Sequence, residues 1–172
     1  MRMKVTCLIS IVGLTFLLLF GCDKRRATKT GDESPENYVQ IRAEDAEMNA
    51  AIAEARARIG EFVDALQAEN AAYHEFYVKK PYCTPGGEKE HMWIGQVTAK
   101  DGNFSGVIAN DAVETKEVSV GQTVEIAFSE ISDWKFQDGA KLIGGSTIRY
   151  FYNRMNGAEK EAFRKESGLT IE

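Results

Sequence analysis

His91 is the side chain best suited by type to move a proton, and the chain holds only one other histidine, His74. It follows Glu88, Lys89 and Glu90 and precedes Met92-Trp93. A thiol nucleophile would have to be Cys83, with His91 as base and Lys79 or Lys80 lowering the thiol pKa. Glu88, Glu90 and His91 could also offer oxygens and an imidazole to a metal. Neighbouring strand residues point to opposite faces, so only Glu88 and Glu90 share one. The sequence contains no CxxC, HExxH or paired Cys/His spacing. It also lacks a GxSxG elbow, a phosphate-cradling glycine loop and a dinucleotide fingerprint. No catalytic residue, metal site or cofactor is therefore assigned, and the reading leans away from an enzyme. The surviving catalytic alternative is a hydrolase or transferase of unfamiliar type, using His91 with Glu90, Asp133 or Cys83.

A binding surface is the other chemistry on offer. Trp93 and Trp134 are the only tryptophans, and each admits two readings. Both can fill the core of a small sheet, or both can line a shallow aromatic groove beside His91, Asp133 and Arg149. Asp133 can cap the turn before Trp134, and Arg149 can pair with it across the sheet. Gly144-Gly145 supplies turn dihedrals or lets a ligand approach the backbone.

Cys22 carries a different chemistry. Arg2 and Lys4 precede Val5–Phe20, which is 16 uncharged residues long and short of the roughly 20 that span a bilayer. This is the pattern of an export signal. The run ends Leu19-Phe20-Gly21-Cys22, which resembles a bacterial lipobox, where cleavage falls before a cysteine that then carries lipid. Residues 1–21 are thus expected to be a lipoprotein signal peptide, with Cys22 lipidated. The competing reading is an uncleaved signal anchor. Asp23 resembles the signal that retains lipoproteins at the inner membrane of enteric bacteria. With Cys7 removed and Cys22 acylated, the mature domain is expected to contain no internal disulfide.

The elements that position these residues follow from periodicity. Residues 22–42 are polar and aperiodic, and read as a flexible tether to a single domain over 43–172. Met48, Ile52, Ala55, Ile59, Phe62 and Leu66 recur at steps of four and three, which predicts an amphipathic helix with Asp45 as its N-cap. Gly60 weakens that helix without breaking its stripe. Five strands are expected at residues 74–79, 91–100, 103–109, 123–129 and 147–152. Asp101-Gly102 is the strongest hairpin signal. Asn156 with Glu159 forms a capping box for a last helix that Gly168 ends. The fold class is α+β: an N-terminal amphipathic helix, about five short antiparallel strands in a small sheet or partly closed barrel, and a C-terminal helix.

Composition narrows the partners. The 172 residues carry 21 bases against 26 acids, with 44% apolar residues, enough for one core. Residues 43–172 hold 14 bases and 22 acids, so no basic footprint for nucleic acid exists.

Three stretches stand out: Val78-Lys79-Lys80-Pro81-Tyr82, Glu90-His91-Met92-Trp93-Ile94, and Ile131-Ser132-Asp133-Trp134 followed by Gly144-Gly145-Ser146-Thr147-Ile148-Arg149. In this order, from about Met48 to Phe163, they resemble the YegJ-like bacterial family, domain of unknown function 2314. Tyr82 stands where that pattern usually has Phe, and Cys83 is not part of it. The resemblance implies a domain, exported as a lipoprotein in some members, and no activity. The expected function is a periplasmic, membrane-anchored lipoprotein whose domain binds a protein or peptide without catalysis. A further alternative is an immunity-like protein whose acidic surface meets a basic envelope toxin.

Overall fold

The computed structural model describes residues 46–172. The expected signal peptide, Cys22, the expected tether and the expected Asp45 cap lie outside the described residues. The apolar stripe forms two consecutive helices rather than one: α1 (Ala46–Ala57) and α2 (Ile59–Gln67). They part at Arg58, which binds Glu54 behind it and Glu61 ahead of it. Met48 and Ala55 of α1 and Phe62 of α2 are buried, so the stripe survives the break.

Six strands follow: β1 (Tyr73–Cys83), β2 (Lys89–Lys100), β3 (Asn103–Ile108), β4 (Thr123–Ala127), β5 (Asp133–Asp138) and β6 (Lys141–Gly144). Their order in the sheet is β4-β3-β2-β1-β5-β6, and every pair is antiparallel. The sheet is open, which settles the choice between sheet and barrel. Asp101 and Gly102 both adopt positive φ in the β2–β3 hairpin, as a type I′ turn demands. The outer edge of β6 is partly covered by the C-terminus, where Leu142 and Ala140 exchange backbone bonds with Thr170.

Residues 147–152 correct the expected fifth strand, for they lie in a helix, α3 (Ser146–Arg154). Its cause is tertiary. Asp133, thirteen residues earlier, accepts hydrogen bonds from the Ser146 and Thr147 amides at 3.1 and 2.9 Å. That carboxylate satisfies amides at a helix N-terminus that no local side chain reaches. The last helix, α4 (Gly157–Ser167), has the expected cap: Asn156 accepts from Ala158 and Glu159, Glu159 answers the Asn156 amide, and Gly168 closes it in left-handed backbone.

The core lies between the sheet and α1–α2. Phe62 meets Phe76 and Phe104 edge-on at 5.6 and 5.5 Å and tilts on Trp134 at 5.7 Å. Val78, Met92 and Ile94 fill the sheet side.

Candidate functional site

Register distributes the chemistry between the two faces of the central strands. On β1, Val78 pairs with Ile94 and Trp134, while Lys79 pairs with Trp93 and Asp133. Val78 and Trp134 point to the helices, so the period of two sends Tyr77 and Lys79, His91 and Trp93, and Lys135 to the outer face.

There the rings and cations interleave. The Lys79 ammonium stands 4.6 Å from the Trp93 ring centroid. Lys135 stands 4.4 Å from the Tyr77 ring and 5.9 Å from the Trp93 ring. Tyr77 and Trp93 meet edge-on at 6.5 Å. All four residues are half-buried. Tyr77 lies over Gly95, where an added Cβ would come within 2.7 Å of its ring. Register shifts interrupt β1 between His74 and Tyr77 and β2 between Gly95 and Thr98. Within those irregularities Glu75 and Gln96 hold φ of 55° and 51°, left-handed backbone that costs about 1–3 kcal/mol per residue. Two such strained bulges flank the Tyr77–Gly95 contact, the kind of re-aimed backbone found beside functional surfaces.

The electrostatics are those of cations drawn out of water. Burial pushes the Lys79 ammonium below its ordinary value, against the pull of Asp133. It does the same to Lys135, against Glu75. Burial, with Glu75 nearby, raises the Tyr77 phenol. His91 is lowered to about 4, first by burial and then by Lys79, Lys89 and Arg56.

His91 and Ser132 form the one pair here with the geometry of base and nucleophile, Nδ1 to Oγ 2.8 Å. Ser132 Oγ also lies 3.3 Å from the Lys79 carbonyl, and the direction of its bond with His91 Nδ1 follows the imidazole tautomer. Ser132 has no exposed surface, and its hydroxyl cannot meet a substrate. The acids named beside His91 are engaged elsewhere. Glu90 accepts the Val113, Glu114 and Thr115 amides at 2.7–2.9 Å and staples the β3–β4 loop to β2. Asp133 accepts, besides the α3 amides, the Trp134 amide at 2.8 Å and the Thr147 hydroxyl at 2.5 Å. Cys83 Sγ accepts a hydrogen bond from the Lys89 ammonium at 2.9 Å, not from His91. Among the described residues, no group of three or more His, Cys, Asp or Glu could hold a metal ion.

Of the five residues expected at a binding surface, His91 and Trp93 reach the outer face. Trp134 is 1% exposed and Asp133 fully buried, so neither lines a surface. The aromatic groove expected beside both tryptophans does not form, because they occupy opposite faces. Arg149 does not pair with Asp133. It donates instead to the carbonyls of Gly144, Leu142 and Glu172, tying the α3 turn to the C-terminus. Tyr77 and Lys135 lie outside the stretches that stand out in the sequence, and Lys79 and Ser132 lie within them without being marked as binding residues. The alternation Trp134-Lys135-Phe136-Gln137 was the signal for β5 and would have placed Lys135.

The family model described as an uncharacterized protein conserved in bacteria (DUF2314) matches residues 45–171. The Escherichia coli K12 protein named "Uncharacterized protein YegJ" is 39% identical over 101 residues, covering 59% of this chain and 64% of that protein. A Neisseria meningitidis serogroup B protein named "Putative ankyrin repeat protein NMB1133/NMB1171" is 31% identical over 86 residues, or 48% of this chain and 34% of that one. The matched segment thus spans under two thirds of the length of each relative. No solved structure matches the chain.

Proposed function

We propose that this chain, which belongs to the DUF2314 family of conserved bacterial proteins, is a non-enzymatic protein- or peptide-binding module, held at the periplasmic face of the envelope by lipid on Cys22. The observation that carries the binding reading is the outer sheet face, where half-buried Tyr77 and Trp93 are interleaved with Lys79 and Lys135. Half-buried tyrosine and tryptophan are enriched at contact surfaces, and the two lysines beside them present charge that a partner can meet. The anchor reading rests on Arg2, Lys4, the apolar run and Cys22. Several acyl chains at about 0.8 kcal/mol per buried methylene hold a domain at the membrane. A tethered domain then meets membrane-proximal partners at raised effective concentration.

The test has two arms in the native host. Labelling with a palmitate analogue should mark the wild-type protein and not Cys22→Ser; full-length, unlabelled wild-type protein in the membrane would remove the anchor. Crosslinking of intact envelopes should give a discrete adduct that disappears in Tyr77→Ala/Trp93→Ala and persists in Val120→Ala, a change at an exposed apolar residue of the β3–β4 loop. An adduct indifferent to the Tyr77/Trp93 pair would remove the binding face.

A further inference from the structure

Resting on the binding reading above, we infer that the outer face takes an extended acidic peptide, with carboxylates on alternate residues seated on Lys79 and Lys135. Charge complementarity carries the inference. Among the described residues neither lysine forms an ion pair. Lys79 donates to the Thr147 hydroxyl at 3.3 Å, and Lys135 lies on the Tyr77 ring. Burial withdraws the Lys79 ammonium from water more fully than the Lys135 ammonium, and a ring quadrupole offsets only part of that cost. The carboxylate nearest Lys79 by register, Asp133, is already met by four donors. Glu75 is the carboxylate whose charge reaches Lys135.

Spacing selects the peptide. Lys79 is in register with Asp133, so Lys135, two residues along β5, is its diagonal neighbour at about 7–8 Å. Side chains on one face of an extended chain repeat every two residues, at about 6.6 Å. Glutamates at positions i and i+2 therefore match the spacing at which the two lysines leave the sheet, beside the Trp93 and Tyr77 rings. A flat bilayer suits lysines that project from a surface, whereas these lie back on rings. The acid excess of the domain opposes an acidic partner at long range. That field fades within about 8 Å at physiological salt, so affinity must arise from contact.

The experiment uses full-length protein in neutral detergent micelles and follows tryptophan fluorescence. Four probes are titrated: an octapeptide alternating Glu and Ser, its isomer with four Glu in a block, the Gln–Ser and Lys–Ser analogues, and vesicles containing phosphatidylglycerol. The alternating acidic peptide should bind saturably and tighter than every other probe. Lys79→Met and Lys135→Met should each weaken it about tenfold, the scale of a charge-assisted hydrogen bond. Lys80→Met should change nothing, since Lys80 is paired with Glu130. Glu75→Gln should tighten binding by removing the competing carboxylate, a gain that a misfolded variant could not give. Equal binding of the Gln–Ser or block peptide, or preference for the Lys–Ser peptide, overturns the acidic ligand while leaving a binding module. Preference for vesicles replaces the peptide with a membrane surface. No peptide binding alongside a surviving envelope adduct overturns this inference alone; loss of both overturns the module as well.

Discussion

The two tryptophans compare the two faces of one sheet. Trp134 pairs with Val78 and Trp93 pairs with the next residue, Lys79, so a single step along β1 separates their fates. Trp134 donates its indole N–H to the Ala55 carbonyl at 2.8 Å and packs on Phe62 and Phe136. Trp93 is half-buried and carries a lysine on its ring. Residue type alone does not separate a core tryptophan from a contact tryptophan. Parity on the strand does, and it acts through what covers each face.

The largest break in that comparison is Trp134→Ala. Removing a fully enclosed indole leaves a cavity beside Phe62 and an orphaned Ala55 carbonyl. Such truncations cost about 3–5 kcal/mol, to be read as a lower urea midpoint of unfolding. A loss below about 1 kcal/mol would mean that the helix-covered face is not the one that holds the fold.

His91 tests the more enclosed part of the outer face. Its ordinary value of 6.5 falls to about 4 in the folded chain, through burial and then Lys79, Lys89 and Arg56. Between those values the unfolded chain binds a proton that the folded chain refuses, so stability rises with pH. The stabilisation is complete above pH 6.5 and is lost as pH falls toward 4. A shift of that size corresponds to about 3 kcal/mol. Urea unfolding measured from pH 7 to pH 4 should show the decline, and His91→Gln, which can still hydrogen-bond Ser132, should flatten it. An equal decline in both proteins would assign the acid sensitivity elsewhere.

How far the sequence reached can be seen in particular residues. The stripe from Met48 to Leu66, the Asp101-Gly102 hairpin and the Asn156–Glu159 box are local patterns, and each forms. The helical stripe divides at Arg58, a detail its period cannot carry. Residues 147–152, β-branched and aromatic, read as strand but coil into α3, because the deciding interaction is the Asp133 carboxylate thirteen residues away. β5 alternates yet lies outside the five expected strands, and β6 has only four residues. Without β5 no reading could bring Lys135 beside Tyr77. His91 and Trp93 were legible as chemistry; the face that joins them to Tyr77, Lys79 and Lys135 exists only in the register.

Gly95→Ala sharpens the comparison from the outer face. The new Cβ would stand 2.7 Å from Tyr77 Cε1 and 3.2 Å from Cδ1. The aromatic ring cannot bend away as a flexible chain end would, so it must lift from the sheet and off Lys135. Overpacking of this kind costs about 1–2 kcal/mol. Near-UV circular dichroism should change in the tyrosine and tryptophan bands while the far-UV spectrum holds. Unchanged aromatic bands would mean that Tyr77 does not rest on Gly95.

Trp93→Ala should have the smallest effect on stability and marks the opposite pole from Trp134. The ring is half-buried, so truncation leaves a notch open to water and no sealed cavity. What is lost is contact with Tyr77 and the cation–π attraction to Lys79, which at exposed sites is worth about 0.5–1 kcal/mol. Part of that returns, because the Lys79 ammonium regains water when the ring goes. The expected change in unfolding free energy is therefore about 1 kcal/mol or less, against several for Trp134→Ala. Fluorescence adds a check that needs no unfolding. Trp93→Phe leaves Trp134 as the sole tryptophan, and its emission should be blue-shifted and resistant to acrylamide. Trp134→Phe leaves Trp93, whose emission should lie further to the red and be quenched readily. Matching quenching constants in the two variants would sink the distinction between the faces, and with it the case for the outer face as a contact surface.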